Sequence, residues 1–221
     1  MLGNIEGAIF DMDGTLIDSL CVWQIIWDEF ENKFLNGAKF NIKDSDNKKV
    51  RTMTLKDAME YLHSEYSIGV NGEELLNEAE KIIANFYASR VMLKKGVREF
   101  LDYCCLNNIK MCIASATDIK LIDLALEHCG IKKYFSHIVS CSEIGKGKDE
   151  PDVYLKAMSL LGTPIESTCV FEDSHIAIQT ASDIGLKTVG IYDENNYDSG
   201  KIERIATTFI GKGETLQKLF N

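Results

Sequence analysis

Apolar residues follow two different spacings along this chain, and the change between them divides it into two parts. Between residues 20 and 89 they recur at helical spacing in three stretches, which predicts helices and no strand. From Val97 onward, helical stretches alternate with short apolar runs. This second pattern is typical of βαβ units, which form a parallel sheet covered by helices on both faces.

The spacings predict the following elements. Helices are expected over 20–36, 50–66, 73–89, 97–107, 118–129, 151–161, 176–184 and 214–220, and strands over 8–10, 109–115, 137–140, 168–171, 187–191 and 207–210. Residues 36–49 are polar and charged, so we expect a loop there. Thr54 and Asp57 are expected to frame the start of the second helix, Asp118 to cap the fifth, and Pro151 to begin the sixth.

The fold class predicted from this order is α/β. A doubly wound, parallel, Rossmann-like sheet is interrupted after its first strand by an all-helical insert. We expect the core to comprise residues 1–17 and 93–221 and the insert to comprise residues 18–92. The two joints, near Thr15–Ser19 and Val91–Gly96, are expected to act as a pair of hinges.

Composition narrows the classes of protein to consider. The chain has 221 residues, of which 45% are hydrophobic and 26% are charged, as is ordinary for a globular protein. No apolar run approaches a membrane span and the first residues do not resemble a signal peptide, so a cytoplasmic location is expected. The net charge of −10 disfavours nucleic acid and anionic membranes as partners. The seven cysteines form no Cys-x-x-Cys pair, which indicates reduced thiols.

Two acids stand directly behind the first apolar strand. Asp11 and Asp13 follow Phe10, and Gly14 marks the point where the backbone turns away. Because residues i and i+2 of an extended segment share a face, the two carboxylates are expected to point to the same side. Like charges in such proximity require a cation or a shared proton, and Mg²⁺ is the usual cation for an oxygen cluster.

Polar groups follow three other predicted strands. They are Ser115-Ala116-Thr117, the loop Gly145-Lys146-Gly147-Lys148, and Glu172-Asp173-Ser174. Taken singly, the first two segments are more typical of a turn and a solvated loop, and the third is equally typical of helix capping. Taken together they suit phosphoryl transfer, because the carboxyl ends of parallel strands meet at one edge of the sheet.

Four segments carry a resemblance to a known family. Asp-Met-Asp-Gly-Thr-Leu-Ile-Asp-Ser at 11–19 resembles the first motif of the haloacid dehalogenase-like hydrolases. Residues 113–116 resemble the second motif, Lys148 with 151–154 the third, and 171–174 the fourth. The helical insert resembles the cap of the group that contains β-phosphoglucomutase and many sugar-phosphate phosphatases. The resemblance implies that this cap closes over the site and expels water.

The resemblance also implies roles for individual residues. Asp11 would be the nucleophile that forms an aspartyl-phosphate, and Asp13 the general acid and base. Ser115, Ala116 and Lys148 would hold the phosphate. Mg²⁺ would be bound by Asp11, the Asp13 main-chain carbonyl, Asp173 and Glu172. The sequence departs from the family at Asp149 and Glu150, whose charges are expected to pair with Lys148 or Lys146.

Within the family, hydrolysis is favoured over phosphosugar mutase action. Thr15 stands where the mutases resembled here carry Val, Trp23 stands where they carry a cap His, and no Lys aligns clearly with their cap Lys. Dehalogenases lack the second Asp and need no metal. The expected function is therefore Mg²⁺-dependent hydrolysis of a small phosphorylated metabolite such as a sugar phosphate, by a monomer or weak dimer. A catalytically idle module that binds a metabolite or a protein stays open as an alternative.

Three residues of the insert are candidates for substrate contacts. They are Trp23, Arg51 and Lys56. The competing interpretation places Trp23 in the core of the cap and the two basic residues on a solvated surface.

Overall fold

The computed structural model describes residues 5–51, 53–196 and 199–220. The chain forms two compact units. Cys21–Arg90 is one unit, and the residues up to Leu20 together with those from Val91 onward form the other.

A parallel sheet organises the larger unit. The strands are β1 (Gly7–Phe10), β2 (Ile17–Asp18), β3 (Met92–Leu93), β4 (Lys110–Ser115), β5 (His137–Ser140), β6 (Thr168–Glu172), β7 (Lys187–Ile191) and β8 (Thr208–Ile210). Six of them form one sheet in the order β5-β4-β1-β6-β7-β8, with every neighbouring pair parallel. The predicted α/β fold with a parallel sheet is confirmed.

Seven of the predicted helices are found in the described segments, together with three that the spacings did not predict. They are α1 (Val22–Phe34), α2 (Asp44–Val50), α3 (Leu55–Tyr66), α4 (Gly72–Ser89), α5 (Val97–Leu106), α6 (Ile119–His128), α7 (Cys141–Ile144), α8 (Asp152–Leu161), α9 (His175–Asp183) and α10 (Ser199–Ile205). The described part of the smaller unit contains α1 to α4 and no strand. None of the helices in the described segments has both the length and the apolar composition needed to cross a membrane.

The core of the larger unit lies around β1. All four residues of β1 and all five of β6 are buried. The ring of Phe10 stacks on that of Phe171 with centroids 4.5 Å apart, and Phe100 packs against both. Burying a side chain of this size contributes about 1.5–3 kcal/mol. The strand that precedes the two acids is therefore held firmly at the centre of the sheet.

The predicted loop at 36–49 is wrong for its second half, which contains α2. This helix begins with acidic residues and ends with Lys48 and Lys49, an order that suits the helix dipole. The Tyr66 hydroxyl donates to the Asp46 carboxylate over 2.6 Å and accepts the Lys43 N–H over 3.0 Å. These contacts are made by a residue of α3. The sequence of α2 itself is charged and has no apolar residues at helical spacing, so the helix could not be predicted from it. The helix predicted from residue 50 accordingly begins at Leu55.

Caps and termini differ in detail from the prediction. Thr54 accepts the Asp57 N–H over 3.1 Å, as expected. Asp118 stands at the capping position of α6, but its carboxylate accepts a hydrogen bond from the Ser142 hydroxyl instead. The helix predicted over 214–220 is a single 3₁₀ turn at Leu216–Leu219. α10 was not predicted. Ile202 is the one buried side chain of this short helix, so the segment lacks the apolar stripe that predicts a helix.

The two joints between the units pair with each other. β2 and β3 form an antiparallel ribbon in which Ile17 faces Leu93 and Asp18 faces Met92. The Lys94 N–H then donates to the Leu16 carbonyl over 3.0 Å. The expected hinge action of these joints stays a prediction.

Candidate active site

Three neighbouring strands deliver the candidate residues to one edge of the sheet. β1 lies between β4 and β6, and the register pairs Phe10 with Ile113 on one side and with Phe171 on the other. Asp11 therefore emerges beside the ends of both neighbours. Its N–H donates to the Phe171 carbonyl over 2.9 Å, which continues the β-sheet pairing into the site.

Asp11, Glu172 and Asp173 form a buried acidic cluster. Each residue offers a carboxylate oxygen, and these oxygens lie within 4.8 Å of one another. The Lys148 ammonium donates to the carboxylates of Asp11 and Glu172, the latter over 2.7 Å. The Lys148 side chain is only 11% exposed, so this ion pair is largely shielded from solvent.

The charges of this cluster are only partly balanced. Burial raises the pKa of Asp11 well above its usual range, and the Glu172 carboxylate raises it further while Lys148 opposes both. Burial and Glu172 likewise raise the pKa of Asp173 to about 8, against the lowering effect of the Asn196 hydrogen bond. Three carboxylates face one ammonium, which leaves two negative charges when all are ionised. Such an oxygen-rich, anionic site fits a hard divalent cation.

Asp13 has different partners from Asp11. Its two carboxylate oxygens accept hydrogen bonds from the Ser19 hydroxyl over 2.6 Å and from the Thr117 hydroxyl over 2.7 Å. Asp13 still lies near enough to Asp11 for its charge to raise the pKa of Asp11. The role of its main-chain carbonyl as a metal ligand stays a prediction.

The predicted phosphate-binding residues occupy the end of β4. Ser115 is buried and its hydroxyl accepts the Thr117 N–H over 3.1 Å, while Ala116 is exposed in the following bend. This hydrogen bond shapes the loop that brings the Thr117 side chain to Asp13. The role of Ser115 and Ala116 in holding phosphate stays a prediction.

Among the described residues, the ion pairs of Lys146 and Lys148 are formed with acids other than Asp149 and Glu150, although the Glu150 charge helps to raise the pKa of Lys146. Lys146 pairs with Asp152 over 3.0 Å, and Lys148 pairs with the acidic cluster. Lys148 reaches into the interior of the unit, whereas Asp149 and Glu150 are exposed. The buried carboxylates therefore outcompete the acids that follow Lys148 in the sequence.

The candidates in the smaller unit are partly brought together. The Arg51 guanidinium lies 5.8 Å from the centroid of the Trp23 ring, and its Nε donates to the Asn47 side chain over 3.2 Å. Trp23 is half-buried against Trp27, at 5.5 Å between ring centroids. Lys56 is exposed in the first turn of α3.

Four further residues contact the site, and the sequence analysis assigned a role to none of them. They are Ser19 and Thr117, which bind Asp13, Asn196, which donates to Asp173, and Lys94, whose ammonium binds the Gly14 carbonyl. Ser19 and Thr117 stand in the segments that marked the site, 11–19 and 115–117, but their hydrogen bonds to Asp13 were not predicted. Nothing in the sequence marks Lys94 or Asn196, because neither belongs to a recognisable motif.

Comparisons with known proteins identify the family. The sequence model described as haloacid dehalogenase-like hydrolase matches residues 8–191. The chain therefore belongs to the haloacid dehalogenase-like hydrolases, as the four motifs indicated.

Individual relatives are distant but span nearly the whole chain. The "Phosphorylated carbohydrates phosphatase" of Thermotoga maritima is 22% identical over 97% of this chain and 98% of its own length. A predicted phosphoglycolate phosphatase of Haemophilus somnus has a similar fold, with a TM-score of 0.80, 14% identity and full coverage of both chains. The β-phosphoglucomutase of Clostridium difficile aligns with a TM-score of 0.72 and 19% identity, over 98% of this chain and 93% of that one. At these identities the structural likeness establishes the fold alone.

Proposed function

We propose that this chain is a Mg²⁺-dependent phosphomonoesterase that acts on a small phosphorylated metabolite such as a sugar phosphate. The observation that carries the proposal is the buried cluster of Asp11, Glu172 and Asp173 around the Lys148 ammonium. Membership of the hydrolase family and the name of the Thermotoga relative support it.

Asp11 is the proposed nucleophile. Its carboxylate lies at the end of the central strand, where burial and the Lys148 contact restrict its orientation. An Asp11 oxygen attacks the phosphorus atom, the bond from phosphorus to the ester oxygen breaks, and an aspartyl-phosphate forms. Ser115, Ala116 and Lys148 hold the phosphoryl oxygens. The Lys148 ammonium is suited to this because it is already positioned against the nucleophile.

Asp13 is the proposed general acid and base. In the first step its protonated carboxyl transfers a proton to the leaving alcohol oxygen. In the second step its carboxylate takes a proton from water as the water oxygen attacks phosphorus, which releases inorganic phosphate and restores Asp11. The hydroxyls of Ser19 and Thr117 hold this carboxyl in place.

The cation would be held by Asp11, Asp173, Glu172 and the main-chain carbonyl of Asp13. When bound, Mg²⁺ neutralises the negative charge of the phosphoryl group and of the carboxylates around it. The four-helix unit, proposed to correspond to a cap over residues 18–92, would supply substrate contacts from Trp23, Arg51 and Lys56.

The test is release of inorganic phosphate from a panel of sugar phosphates, polyol phosphates and nucleotides, with Mg²⁺ and with EDTA. We expect Mg²⁺-dependent turnover that Asp11→Asn lowers on the order of 10⁴-fold. Asp183→Asn, an identical change at an exposed position of α9, is the matched control and should turn over like the wild type.

Three outcomes would contradict the proposal. Turnover that persists in Asp11→Asn would exclude Asp11 as the nucleophile. If no ester is hydrolysed but β-glucose 1-phosphate is isomerised, the chain is a mutase. If neither reaction occurs, a binding role replaces the catalytic one.

A further inference from the structure

Lys94 lies in the second joint between the units, outside every motif of the candidate site. Its ammonium donates three hydrogen bonds, to the Gly14 carbonyl over 2.7 Å, the Tyr192 carbonyl over 3.0 Å and the Asp193 carboxylate over 2.6 Å. An ammonium has three N–H donors, so all of its hydrogen-bonding capacity is used. The Asp193 side chain is 3% exposed and that of Lys94 is 18% exposed. The ammonium therefore holds the main chain at Gly14, the main chain at Tyr192 and the side chain of Asp193 at the same time.

One of these positions supports Asp173 from the side of the first motif. Gly14 adopts a φ of +74°, and a Cβ atom there would collide with the Asp173 carboxylate. The backbone of Gly14 thus packs directly on this carboxylate. Because Lys94 holds the Gly14 carbonyl, it holds the surface against which Asp173 rests.

The contact of Lys94 with Asp193 supports Asp173 from the loop that follows β7. Asp193 accepts the Asn195 N–H over 2.8 Å with its carboxylate and the Asn196 N–H over 3.2 Å with its carbonyl. The Asn196 side-chain amide then donates to both the carbonyl and the carboxylate of Asp173. The ion pair with Lys94 consequently orders the loop that orients this carboxylate.

We propose that Lys94 is a positioning residue for Asp173, which it orients toward the bound cation through Gly14 on one side and through Asp193 and Asn196 on the other. The inference rests on the proposed function, in which Asp173 is a metal ligand. Groups that orient a metal ligand typically change metal affinity by about 10–100-fold when they are removed. The effect should therefore fall on cation binding rather than on the chemical step.

The experiment is calorimetric titration of the purified full-length chain with MgCl₂ in the absence of substrate. Lys94→Met keeps an unbranched, flexible side chain one atom shorter than that of lysine and removes its charge and donors. Lys95→Met makes the same change at the neighbouring, exposed lysine and serves as the matched control. Asp193→Asn removes the charge of the partner and one of its two acceptor oxygens with little change of shape, and it decides the question if Lys94→Met does not fold. Asp173→Asn reports whether the titrated site is the proposed one.

We expect the Mg²⁺ Kd to rise about tenfold in Lys94→Met and in Asp193→Asn, and to stay at the wild-type value in Lys95→Met. The Mg²⁺ concentration for half-maximal phosphate release should rise in parallel, while kcat at saturating Mg²⁺ and the KM for the ester stay within about twofold of wild type, since the nucleophile is untouched.

A folded Lys94→Met with wild-type Mg²⁺ affinity would overturn the inference, even if its unfolding free energy falls, because Lys94 would then be only structural. The proposed metal site fails separately if wild type and Asp173→Asn give the same titration. That result would remove the basis for the role of Lys94 as well.

Discussion

Gly14→Ala is expected to damage stability and cation binding together. Gly14 has a φ of +74°, in the left-handed region, where an L-residue costs roughly 1–2 kcal/mol. The added methyl group would also collide with the Asp173 carboxylate and touch the Leu20 side chain. The methyl group must therefore displace either the loop of the first motif or a buried acid.

The size of the effect follows from separating these two costs. Gly213 has a φ of +81°, and a Cβ atom added there would have no neighbour within 4 Å, so Gly213→Ala carries the backbone cost without the collision. Overpacking a close contact typically costs about 1–3 kcal/mol. We expect Gly213→Ala to lower the unfolding free energy by about 1–2 kcal/mol and Gly14→Ala by about 2–5 kcal/mol.

Urea denaturation in EDTA measures both unfolding free energies, and calorimetric titration measures the Mg²⁺ Kd. Gly14→Ala should weaken Mg²⁺ binding at least about tenfold, since Asp173 is displaced, whereas Gly213→Ala should bind like the wild type. Equal losses of stability in the two variants, with unchanged Mg²⁺ affinity, would refute the packing of Gly14 on Asp173 as a determinant of the site.

Three further predictions concern protonation, an unpartnered hydroxyl and a helix cap. The pKa of Asp173 is raised in the folded state to about 8, so the folded chain binds this proton more tightly than the unfolded one. The unfolding free energy in EDTA should therefore fall as pH rises from about 4 to about 8, and Asp173→Asn but not Asp183→Asn should reduce that slope in urea titrations. Tyr154→Phe removes a buried hydroxyl that has no hydrogen-bond partner within the described structure, and should leave the urea midpoint unchanged or raise it; a clear drop would show that the hydroxyl has a partner. Thr54→Ala removes the acceptor of the Asp57 N–H and should cost about 1 kcal/mol in the same assay, and no loss would mean that this cap does not stabilise α3.

Lys148 alone does not neutralise the acidic cluster in the larger unit. Lys148 contacts Asp11 and Glu172, whereas the Asp173 carboxylate accepts hydrogen bonds from the Asn196 amide and, more weakly, from the Thr15 hydroxyl at 3.5 Å. The charges of Lys148 and Lys94 lower the pKa of Asp173 but do not outweigh its burial. Burial makes each uncompensated carboxylate costly, which raises the pKa values of Asp11 and Asp173. The chain retains this unfavourable cluster where the proposed cation would relieve it.

Several features of this protein were determined by the sequence alone. The apolar runs that become β1, β4 and β6 are local patterns, and the parallel order of their strands follows from the helices between them. Asp11 and Asp173 could be placed at one edge of the sheet because each directly follows such a strand. These predictions succeeded because the information lies within a few residues of each position.

Only the tertiary structure decided which distant residues contact the first motif and the loop after β7. The contact of Thr117 with Asp13 and the contacts of Lys94 with Gly14 and Asp193 join residues that are about 80 to 100 positions apart in the sequence. The same holds for α2, whose charged sequence becomes helical against Tyr66. A hydrogen bond between distant segments depends on where the backbone brings them, and no periodicity or motif near either residue encodes that position.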